Sequence, residues 1–546
     1  MESLVSFPLQ ALALATLSLV LLYASFKMII HQHEPNKCNR KKNNITNKIC
    51  VPEPSGALPI IGHLHLLGGQ VPVALILGAM ADKYGPIYSL RLGQHRALVL
   101  SSWELVKECF TTNDRLFANR PSIAVGKYIL YDSAAFAISS YGNYWRDVRK
   151  MVTLRLLSSH RLESLQHIRT SEFGSFIKGL YFEYTKLGPL APLSELLEQL
   201  TFNLNARLIV GKRFIKSAVG DADTDARRFK KAIKEALYLS GVFVWSDAIP
   251  WVECLDIHGH VSSMKRVFKE IDLVLGKWLE EHRQAREVLD DQRSNDKSSS
   301  NGDVERDLMD VMLSSIEEDD AMLSCYSRDT IIKATALILI LTGTESTAVT
   351  LIWAISLLLN NPSVMKAAQR ELDTHVGRDR WVQESDLSNL KFLEAIVKET
   401  IRLYPPGPIT GPREATEECF VGGHHVPKGT RLIVNIWKLH RDPRMWADPC
   451  EFRPERFMTT HEDLNFRGQN FQYIPFSSGR RSCPGMTFGL LVVELMLASL
   501  VQGFEFKTKD DKPVDMREGL GIALPKLNSL DVFLYPRLPT KLYECL

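Results

Sequence analysis

The chain has 546 residues, of which 45% are hydrophobic and 24% are charged, a composition typical of a globular protein with a large core. Its 66 basic and 63 acidic side chains leave a net charge of +3, so no nucleic-acid partner is predicted for the chain as a whole. The nine cysteines include no CxxC pair, which argues against a zinc ribbon and against a disulfide-stapled secreted scaffold.

An uncharged, strongly apolar segment lies near the first residue. No charged side chain occurs from Ser3 to Phe26, and about 20 such residues can cross a bilayer as a helix. A cleaved signal peptide is the alternative, but the acidic Glu2 and the length of the apolar run argue against it. The basic flank behind the run consists of Lys27, Lys37, Arg40, Lys41, Lys42 and Lys48. Because such a flank stays in the cytoplasm, residues 1–30 are predicted to be a single-pass signal anchor with the rest of the chain cytosolic.

Residues 31–59 are predicted to be a basic linker that leads into a proline-rich neck. Pro52, Pro54 and Pro59 stiffen the neck because proline fixes the backbone angle φ, although an ordinary proline-rich loop is the alternative. Residues 60–546 contain no repeats and are predicted to form one large domain, mainly α with small β-sheets. The predicted strands are 87–93, 97–102, 431–437 and 530–536. The charged, serine-rich stretch 286–307 has no apolar period and is predicted to be an exposed, mobile loop.

The clearest predicted helix runs from about 327 to 360 and stops at Asn361-Pro362. Two apolar runs flank its polar centre, T-G-T-E-S-T at 342–347. A second membrane span is the alternative, but an acidic residue at mid-span would be costly. Thr342 and Ser346 are four residues apart and share a helix face, which Glu345 borders. Gly343 leaves room for another group to approach the backbone.

Two later segments carry charges that are predicted to pair. Glu399 and Arg402 are three residues apart on one helix face, and such pairs are usually solvated and worth little. Arg456 follows about fifty residues later in "FRPERF". We predict that Glu399, Arg402 and Arg456 form a buried, hydrogen-bonded structural triad with no catalytic part.

Cys483 lies in "FSSGRRSCPG", just before an apolar helix. Pro484 suits the first position of that helix, which places the cysteine near its N-cap. The helix dipole and the adjacent Arg480 and Arg481 would stabilise a thiolate there. Two roles remain open from the residues alone: a nucleophile, which needs a general base, or a single metal ligand such as that of haem iron.

At this point the sequence resembles the haem-binding signature of the cytochrome P450 monooxygenases. The pattern F-x-x-G-x-R-x-C-x-G is carried by Phe476, Gly479, Arg481, Cys483 and Gly485. Other sequence motifs typical of the family occur in the expected chain order: Trp145-x-x-x-Arg149, the T-G-T-E-S-T centre, Glu399-x-x-Arg402 and Pro454-Glu455-Arg456-Phe457. The resemblance implies the cytochrome P450 fold, mainly α with small β-sheets, preceded by one transmembrane helix. It also implies haem b, NADPH as the electron source, a partner NADPH–cytochrome P450 reductase, and an endoplasmic reticulum location.

By the resemblance, Cys483 is the axial thiolate of the haem iron, whose electron push favours O–O cleavage. Phe476 shields the sulfur, and Gly479 and Gly485 let the backbone approach the porphyrin. The haem propionates are expected to be held by Trp145, Arg149, Arg413 and Arg481, since the guanidinium fork suits carboxylates. Arg146 and Lys150 are candidates for the basic face that receives the reductase.

The resemblance also makes Glu345 and Ser346 the acid–alcohol pair that relays protons to dioxygen, with Thr347 beside them. The chain departs from the family pattern here. The alcohol is usually threonine, and the residue before the glycine is usually alanine or glycine rather than Thr342. Serine keeps the hydroxyl but lacks the methyl group that restricts its rotamer, so we expect the relay to survive.

Within the superfamily, "PEPSGALPIIGHLHLLGG", "YGNYWRDVRK" and "GIALPK" resemble one plant family that includes coumarin and flavone hydroxylases, alkaloid oxidases, nicotine demethylases and homoterpene synthases. Thr342, Ser346, "RWVQESDL" and "YPRLPTKLY" resemble the homoterpene-synthase branch, which cleaves a C–C bond in tertiary alcohols such as nerolidol and geranyllinalool.

The substrate pocket implied by family position consists of Val125, Tyr128, Phe136, Leu337, Leu341, Thr342, Ile409, Thr410 and Leu524. This mostly apolar set also suits hydroxylation of another terpenoid, flavonoid, coumarin, lignan or alkaloid. An oxygen-independent haem-thiolate isomerase and a haem sensor are further alternatives, and the Glu345–Ser346 pair argues against both.

Overall fold

The computed structural model describes residues 49–214, 224–295, 307–317 and 321–546, together with Thr16 and Ser18. The predicted anchor is otherwise outside these residues, as are the linker up to residue 48 and residues 296–306 of the predicted loop. Seventeen α-helices occur in the described part of the chain. They are α1 (Leu64–Leu67), α2 (Val73–Tyr84), α3 (Trp103–Phe110), α4 (Ala124–Tyr128), α5 (Asn143–Met151), α6 (Ser159–Ser164), α7 (Gln166–Leu187), α8 (Leu193–Val210), α9 (Thr224–Gly241), α10 (His260–Asn295), α11 (Leu308–Ser315), α12 (Arg328–Asn360), α13 (Pro362–His375), α14 (Lys391–Leu403), α15 (Ile436–Leu439), α16 (Met486–Gly503) and α17 (Thr540–Glu544).

Nine short strands form three small sheets beside the helices. The strands are β1 (Ile87–Leu92), β2 (His95–Leu100), β3 (Leu190–Ala191), β4 (Arg413–Glu414), β5 (Cys419–Val421), β6 (His424–Val426), β7 (Arg431–Val434), β8 (Phe504–Lys507) and β9 (Val532–Pro536). The largest sheet has the order β1-β2-β7-β4, in which only β2 and β7 run parallel, with Leu98 opposite Leu432. The other sheets have the orders β3-β9-β8 and β5-β6. All four predicted strands are present, each within a few residues of its predicted bounds.

The central helix α12 agrees closely with its prediction. Ser327 caps its start by accepting a hydrogen bond from the Thr330 amide, and Pro362 begins the next helix directly after it ends. Among the described residues, α12 and α16 are the two helices long and apolar enough to cross a membrane. Most of each is buried inside the fold, 72% and 61% of their most apolar windows. Both are therefore core helices, as was predicted for α12 in place of a second membrane span.

Two local expectations need correction. The predicted loop at 286–307 begins too early, because α10 continues to Asn295. Residues 286–295 are mostly charged or polar and have no apolar period, so the sequence contains no helical signal there. The helix that follows Cys483 begins at Met486 with Gly485 as its N-cap, two residues later than Pro484 predicted.

The neck is attached to the first sheet. The Pro52 carbonyl accepts a hydrogen bond from the Ser89 amide at 2.8 Å, and Glu53 pairs with Arg91 at 2.7 Å. His63 Nε2 lies 2.9 Å from the Pro54 carbonyl. These contacts connect the segment that follows the basic linker to β1.

Candidate active site

A cavity of about 370 Å³ lies between α12 and the loop that leads into α16. Apolar side chains form most of its wall, and its polar lining consists of arginines, hydroxyls, one asparagine and Cys483. No carboxylate, lysine or histidine lines it among the described residues. The cavity therefore suits a large apolar ligand that carries its negative charge on the arginine side.

The cysteine loop is held by backbone hydrogen bonds. The Cys483 amide donates to the Phe476 carbonyl at 2.9 Å, which closes the loop. Gly479 has a φ of +69°, and a Cβ there would lie 2.3 Å from Oδ1 of Asp114, so a side chain has no room at this position. A Cβ on Gly485 would stand 3.9 Å from the Cys483 sulfur, so the glycine backbone lies close to that atom.

The Cys483 sulfur is open to the cavity while protein surrounds it in all other directions. Burial raises the pKa of the Cys483 thiol, whereas the Gly485 amide and the charge of Arg149 lower it. Both of these groups favour the thiolate, which is the metal-ligating form. The cavity wall thus presents one sulfur atom with groups that stabilise its negative charge.

Four arginines gather at one side of the cavity. Arg481 donates to the carbonyls of Ala118 and Ser139 at 2.7 and 2.6 Å, and its guanidinium stacks 4.3 Å from the Trp145 ring. Arg149 donates to the Ser482 carbonyl at 2.6 Å. Trp145, Arg149 and Arg481 all line the cavity.

Arg413 lies beside the cavity rather than in its lining. One of its terminal nitrogens, Nη2, donates to Ser477 Oγ and to the Ser478 carbonyl at 3.1 and 3.2 Å. The other, Nη1, has no hydrogen-bond partner among the described residues and lies 3.9 Å from Oδ1 of Asp114. Asp114 is the carboxylate that faces this part of the cluster, and burial raises its pKa.

Sequence reasoning assigned no role to Arg120, the fourth member. It donates to the carbonyls of Ala137 and Pro412 at 3.0 and 2.6 Å and lines the cavity. It lies in a loop with no periodic signal, and its partners are distant in sequence, so the residues alone did not single it out.

The implied haem fits this site if its negative propionates meet buried positive charge, and the arginine cluster supplies such charge. Burial and the neighbouring arginines lower the pKa of Arg481 to about 8 and that of Arg413 to about 9. Burial also lowers the pKa of Arg120 to about 10. Such shifts report buried positive charge with too little negative charge nearby. A ligand that brings two carboxylates here and a metal ion to the Cys483 sulfur fits both needs.

The polar centre of α12 forms the opposite wall. The hydroxyls of Thr342, Ser346 and Thr350 line the cavity, and each donates to the carbonyl four residues earlier, at 2.7, 2.7 and 2.8 Å. Thr347 is buried and also lines the cavity. The cavity-facing wall of α12 therefore carries four hydroxyls.

Glu345 points away from the cavity lining. Its Oε1 lies 3.9 Å from the position of a Cβ on Gly521. Burial and, secondarily, the charge of Glu198 raise the pKa of Glu345 to about 7. A carboxyl group with such a pKa exchanges protons near neutral pH and neighbours Ser346 in the chain.

Asn205 is a further polar residue of the lining that sequence reasoning missed. It lies on α8 and packs against Gly343, where a Cβ would be 2.5 Å from its Oδ1. An asparagine in a mostly apolar helix is a signal of a buried polar group, but its partner 138 positions along the chain cannot be identified from sequence.

The structure brings Glu399, Arg402 and Arg456 together away from the cavity. Arg402 donates to both oxygens of Glu399 at 2.6 and 2.9 Å, and Arg456 donates to Oε1 at 3.0 Å. Glu399 and Arg402 are fully buried. Arg402 also donates to the carbonyls of His440 and Pro449. The triad joins α14 to the segment that precedes the cysteine loop.

The nine residues expected to form a substrate pocket divide into two groups. Phe136 and Thr342 line the cavity, and the other seven have different contacts because family position gives a backbone place and not a side-chain direction. Val125, Leu337 and Leu341 are buried in the main core, and Ile409 packs against the first sheet. The hydroxyl of Tyr128 donates to Glu253. Thr410 Oγ1 accepts from the Val434 amide, and the Leu524 carbonyl accepts from the Trp353 indole.

Known proteins resemble this chain over most of its length. The family model described as Cytochrome P450 matches residues 52–530. The chain is 51% identical to a dimethylnonatriene synthase of Arabidopsis thaliana over 91% of its own length and 93% of the relative's. It is 47% identical to a flavonoid-6-hydroxylase of Ocimum basilicum, over 92% and 94%. A solved zebrafish cytochrome P450, in a structure with progesterone, aligns with a TM-score of 0.70 and 26% identity over 85% of this chain and all of that one. These matches confirm the predicted helical fold with small sheets.

Proposed function

The chain belongs to the cytochrome P450 family and is a plant-type monooxygenase, and from this premise we propose that it converts tertiary terpenoid alcohols into homoterpenes. The observation that carries the proposal is the 51% identity to the Arabidopsis dimethylnonatriene synthase along nearly the whole of both chains. A cavity wall that combines apolar side chains with hydroxyls, and contains no carboxylate among the described residues, supports an apolar alcohol as substrate.

The name of the Arabidopsis relative gives a product, and the proposed substrate then fixes the bond change. A dimethylnonatriene has eleven carbons, so its formation from the C15 alcohol nerolidol removes four. Nerolidol, O2, NADPH and a proton would give the C11 triene, the C4 ketone but-3-en-2-one, two waters and NADP⁺, which balances all atoms. The C–C bond next to the carbinol carbon breaks while O2 is reduced to water. Geranyllinalool would give a C16 homoterpene and the same ketone.

We assign the cofactor to the cysteine loop and the arginine cluster. Cys483 would ligate the haem iron, with Phe476, Gly479 and Gly485 shaping the loop around the sulfur. Trp145, Arg149, Arg413 and Arg481 would hold the propionates, and Arg120 joins them because it lines the same side. When bound, thiolate-ligated haem supplies the cleavage of the O–O bond with electrons from NADPH.

The remaining chemistry belongs to α12. Glu345 would take protons from solvent and pass them towards Ser346, with Thr347 beside them. In the structure the Ser346 hydroxyl donates to the Thr342 carbonyl, so it must rotate away, or exchange its proton through water, to serve the cavity. Phe136 and Thr342 would contact the substrate.

We further propose that residues 1–30 anchor the protein in the endoplasmic reticulum membrane with its catalytic domain in the cytosol. An NADPH–cytochrome P450 reductase would deliver the electrons, and Arg146 and Lys150 remain candidates for its docking face. Arg146 is exposed on α5, and its guanidinium lies 5.7 Å from the centre of the Tyr141 ring.

The test is expression in microsomes together with a plant reductase. Nerolidol and geranyllinalool are supplied with NADPH, and volatile products are identified by gas chromatography and mass spectrometry. We expect C11 and C16 homoterpenes with but-3-en-2-one, and none from the Cys483→Ser variant. The absence of homoterpene from either alcohol, in wild-type preparations with a full thiolate–haem carbon monoxide band, would contradict the proposed substrate.

Hydroxylation of a phenolic substrate is the second candidate, favoured by the 47% identity to the basil flavonoid-6-hydroxylase. The same microsomes are therefore given a panel of flavones and coumarins. A hydroxylated phenolic product without homoterpene would favour this candidate. Product formation that needs neither NADPH nor O2 would instead favour a haem-thiolate isomerase.

A further inference from the structure

Asn205 on α8 occupies a position where that helix packs against α12. Its side chain is 4% exposed. A Cβ on Gly343 would lie 2.5 Å from the Asn205 Oδ1 and 3.0 Å from its Cγ, so the amide fills the space of a missing side chain. Asn205 also contributes to the cavity lining together with Gly343. The small exposed part of this amide therefore faces the active-site cavity.

The hydrogen bonds of Asn205 leave its oxygen available. Nδ2 donates to the Thr201 carbonyl at 2.8 Å, one turn earlier on α8. This bond orients the amide so that Oδ1 faces Gly343. In the described part of the chain no group donates to Oδ1. A buried acceptor at a cavity wall is unfavourable unless a donor reaches it from the cavity.

Three of the four hydroxyls on this wall of α12 do not provide that donor. Those of Thr342, Ser346 and Thr350 each donate to the carbonyl four residues before them on α12. Their protons are committed to the helix backbone, and their oxygens remain as acceptors. These three oxygens therefore act as acceptors on the cavity wall, which suits a ligand that donates hydrogen bonds.

We propose that Asn205 is a positioning residue whose Oδ1 holds a hydroxyl donor beside the Thr342–Ser346 turn of α12. The donor has two sources: the tertiary hydroxyl of the substrate, or a water molecule that supplies the proton relay. The first source rests on the proposed function, whereas the second requires only monooxygenase chemistry. If Asn205 merely fills space above Gly343, leucine, which has a similar size, will serve as well.

The experiment compares Asn205→Leu with Asn203→Leu in reductase-containing microsomes, all normalised to the thiolate–haem band. Asn203 is a matched control because it lies on the same helix, is buried and has an unpartnered Oδ1 among the described residues, yet does not line the cavity. If the leucine variant does not accumulate as holoenzyme, Asn205→Ala is compared with Asn203→Ala, so that both positions lose the same volume.

The substrate source is tested by spectral binding titrations with nerolidol and its O-methyl ether, which cannot donate. We expect wild type to prefer the alcohol by about fivefold, the value of one ordinary hydrogen bond. Asn205→Leu should remove this preference, and Asn203→Leu should keep it.

The water source is tested without any terpenoid, by hydrogen peroxide released per NADPH consumed. If Oδ1 holds relay water, Asn205→Leu should raise this ratio at least twofold while Asn203→Leu leaves it unchanged. The proposal is overturned if Asn205→Leu alters neither readout, or if Asn203→Leu alters them equally. A wild-type enzyme that makes no homoterpene refutes the proposed function, and the terpenoid-free measurement still decides the role of Asn205.

Discussion

At the scale of single residues, the proposed proton relay makes Ser346 the first group to test. Its hydroxyl lines the cavity and donates to the Thr342 carbonyl at 2.7 Å. Ser346→Ala should raise the hydrogen peroxide released per NADPH several-fold, because dioxygen then lacks a nearby proton donor. Ser346→Thr should restore wild-type coupling and is the control. An unchanged ratio in Ser346→Ala would mean that Thr347, Thr342 or water carries the relay.

If Glu345 belongs to the proposed relay, coupling of NADPH use to product should depend on pH. Burial, with a smaller effect of Glu198, raises the pKa of Glu345 to about 7; Lys234 and Lys230 act on Glu198 from α9. The carboxyl group holds a proton below pH 7 and is ionised above it, so coupling should fall as pH rises from 6 to 8. The measurement is product formed per NADPH across that range. Glu345→Gln cannot ionise and should give a low, flat profile; a slope equal to that of wild type would assign the titration to another group.

A substitution at Gly343 tests how closely α8 and α12 pack. Gly343→Ala would place a methyl group 2.5 Å from the Asn205 Oδ1, and overpacking of this kind costs about 1–3 kcal/mol. We expect a lower Tm for the holoenzyme and recovery in the double variant Gly343→Ala, Asn205→Ala. Gly276 is the matched control, since a Cβ there meets nothing within 4 Å, and alanine gains about 0.5–1 kcal/mol over glycine inside a helix. Equal Tm changes at the two glycines would refute this account.

Sequence patterns identify residues of this site unequally. Cys483, Arg481 and Gly485 are close in the chain, so one short motif predicts them together. Arg120 and Asn205 contribute to the same cavity through contacts made across the fold, and no local pattern reports such contacts. The direction of a side chain is equally invisible, which is why the predicted pocket shares Phe136 and Thr342 with the observed cavity while Tyr128 donates to Glu253 instead.

At the scale of elements, the buried triad makes α14 sensitive to a single charge. Glu399 is fully buried and accepts hydrogen bonds from Arg402 and Arg456. Glu399→Gln leaves two buried guanidinium groups without their anion, and breaking a buried pair costs about 3–5 kcal/mol. We expect a large loss of the carbon monoxide band and a lower Tm for the protein that remains.

The same helix provides the control for that prediction. Lys391 pairs with Glu394 at 3.5 Å, but its side chain is 66% exposed. An exposed pair contributes about 0–1 kcal/mol, so Lys391→Gln should leave both readouts nearly unchanged. If the Tm of Glu399→Gln stays within the range of Lys391→Gln, the triad does not stabilise the fold as its burial indicates.

Helices were predictable where their apolar faces pack against the core. The helix α12 has two apolar runs, a serine cap and a terminating Asn-Pro pair, and its observed bounds agree with those signals. The last turns of α10 are mostly charged or polar in sequence and show no apolar period, so 286–295 was predicted to be part of a loop. The pairs β1–β2 and β5–β6 join neighbouring segments, whereas β2–β7 and β3–β9 join segments far apart in the chain. The strand order of the two larger sheets therefore depends on contacts that no single segment specifies.

At the scale of the whole molecule, the cavity lies where segments separated by hundreds of residues meet. Arg149 donates to the carbonyl of Ser482, 333 positions away, and Arg481 donates to that of Ala118, 363 positions away. A haem in this cavity would supply the negative charge that the buried arginines lack. Cofactor and fold are therefore coupled, because ligand binding to the folded state adds to its stability.

The membrane anchor is the last feature of the whole molecule that can be tested separately from catalysis. The apolar run within residues 1–30 is long enough to span a bilayer, and the basic residues behind it favour a cytosolic body. We expect full-length protein to remain in the membrane pellet after alkaline carbonate extraction, and the variant lacking residues 1–30 to be released while keeping its thiolate–haem band. Deletion of residues 31–48 is the control, because it removes the linker and leaves the span.

The topology of the protein is tested by protease, which should digest the cytosolic body when it is added to intact microsomes. Carbonate-resistant membrane association of the variant lacking residues 1–30 would mean that the body itself holds the bilayer, and protection from protease would reverse the predicted topology.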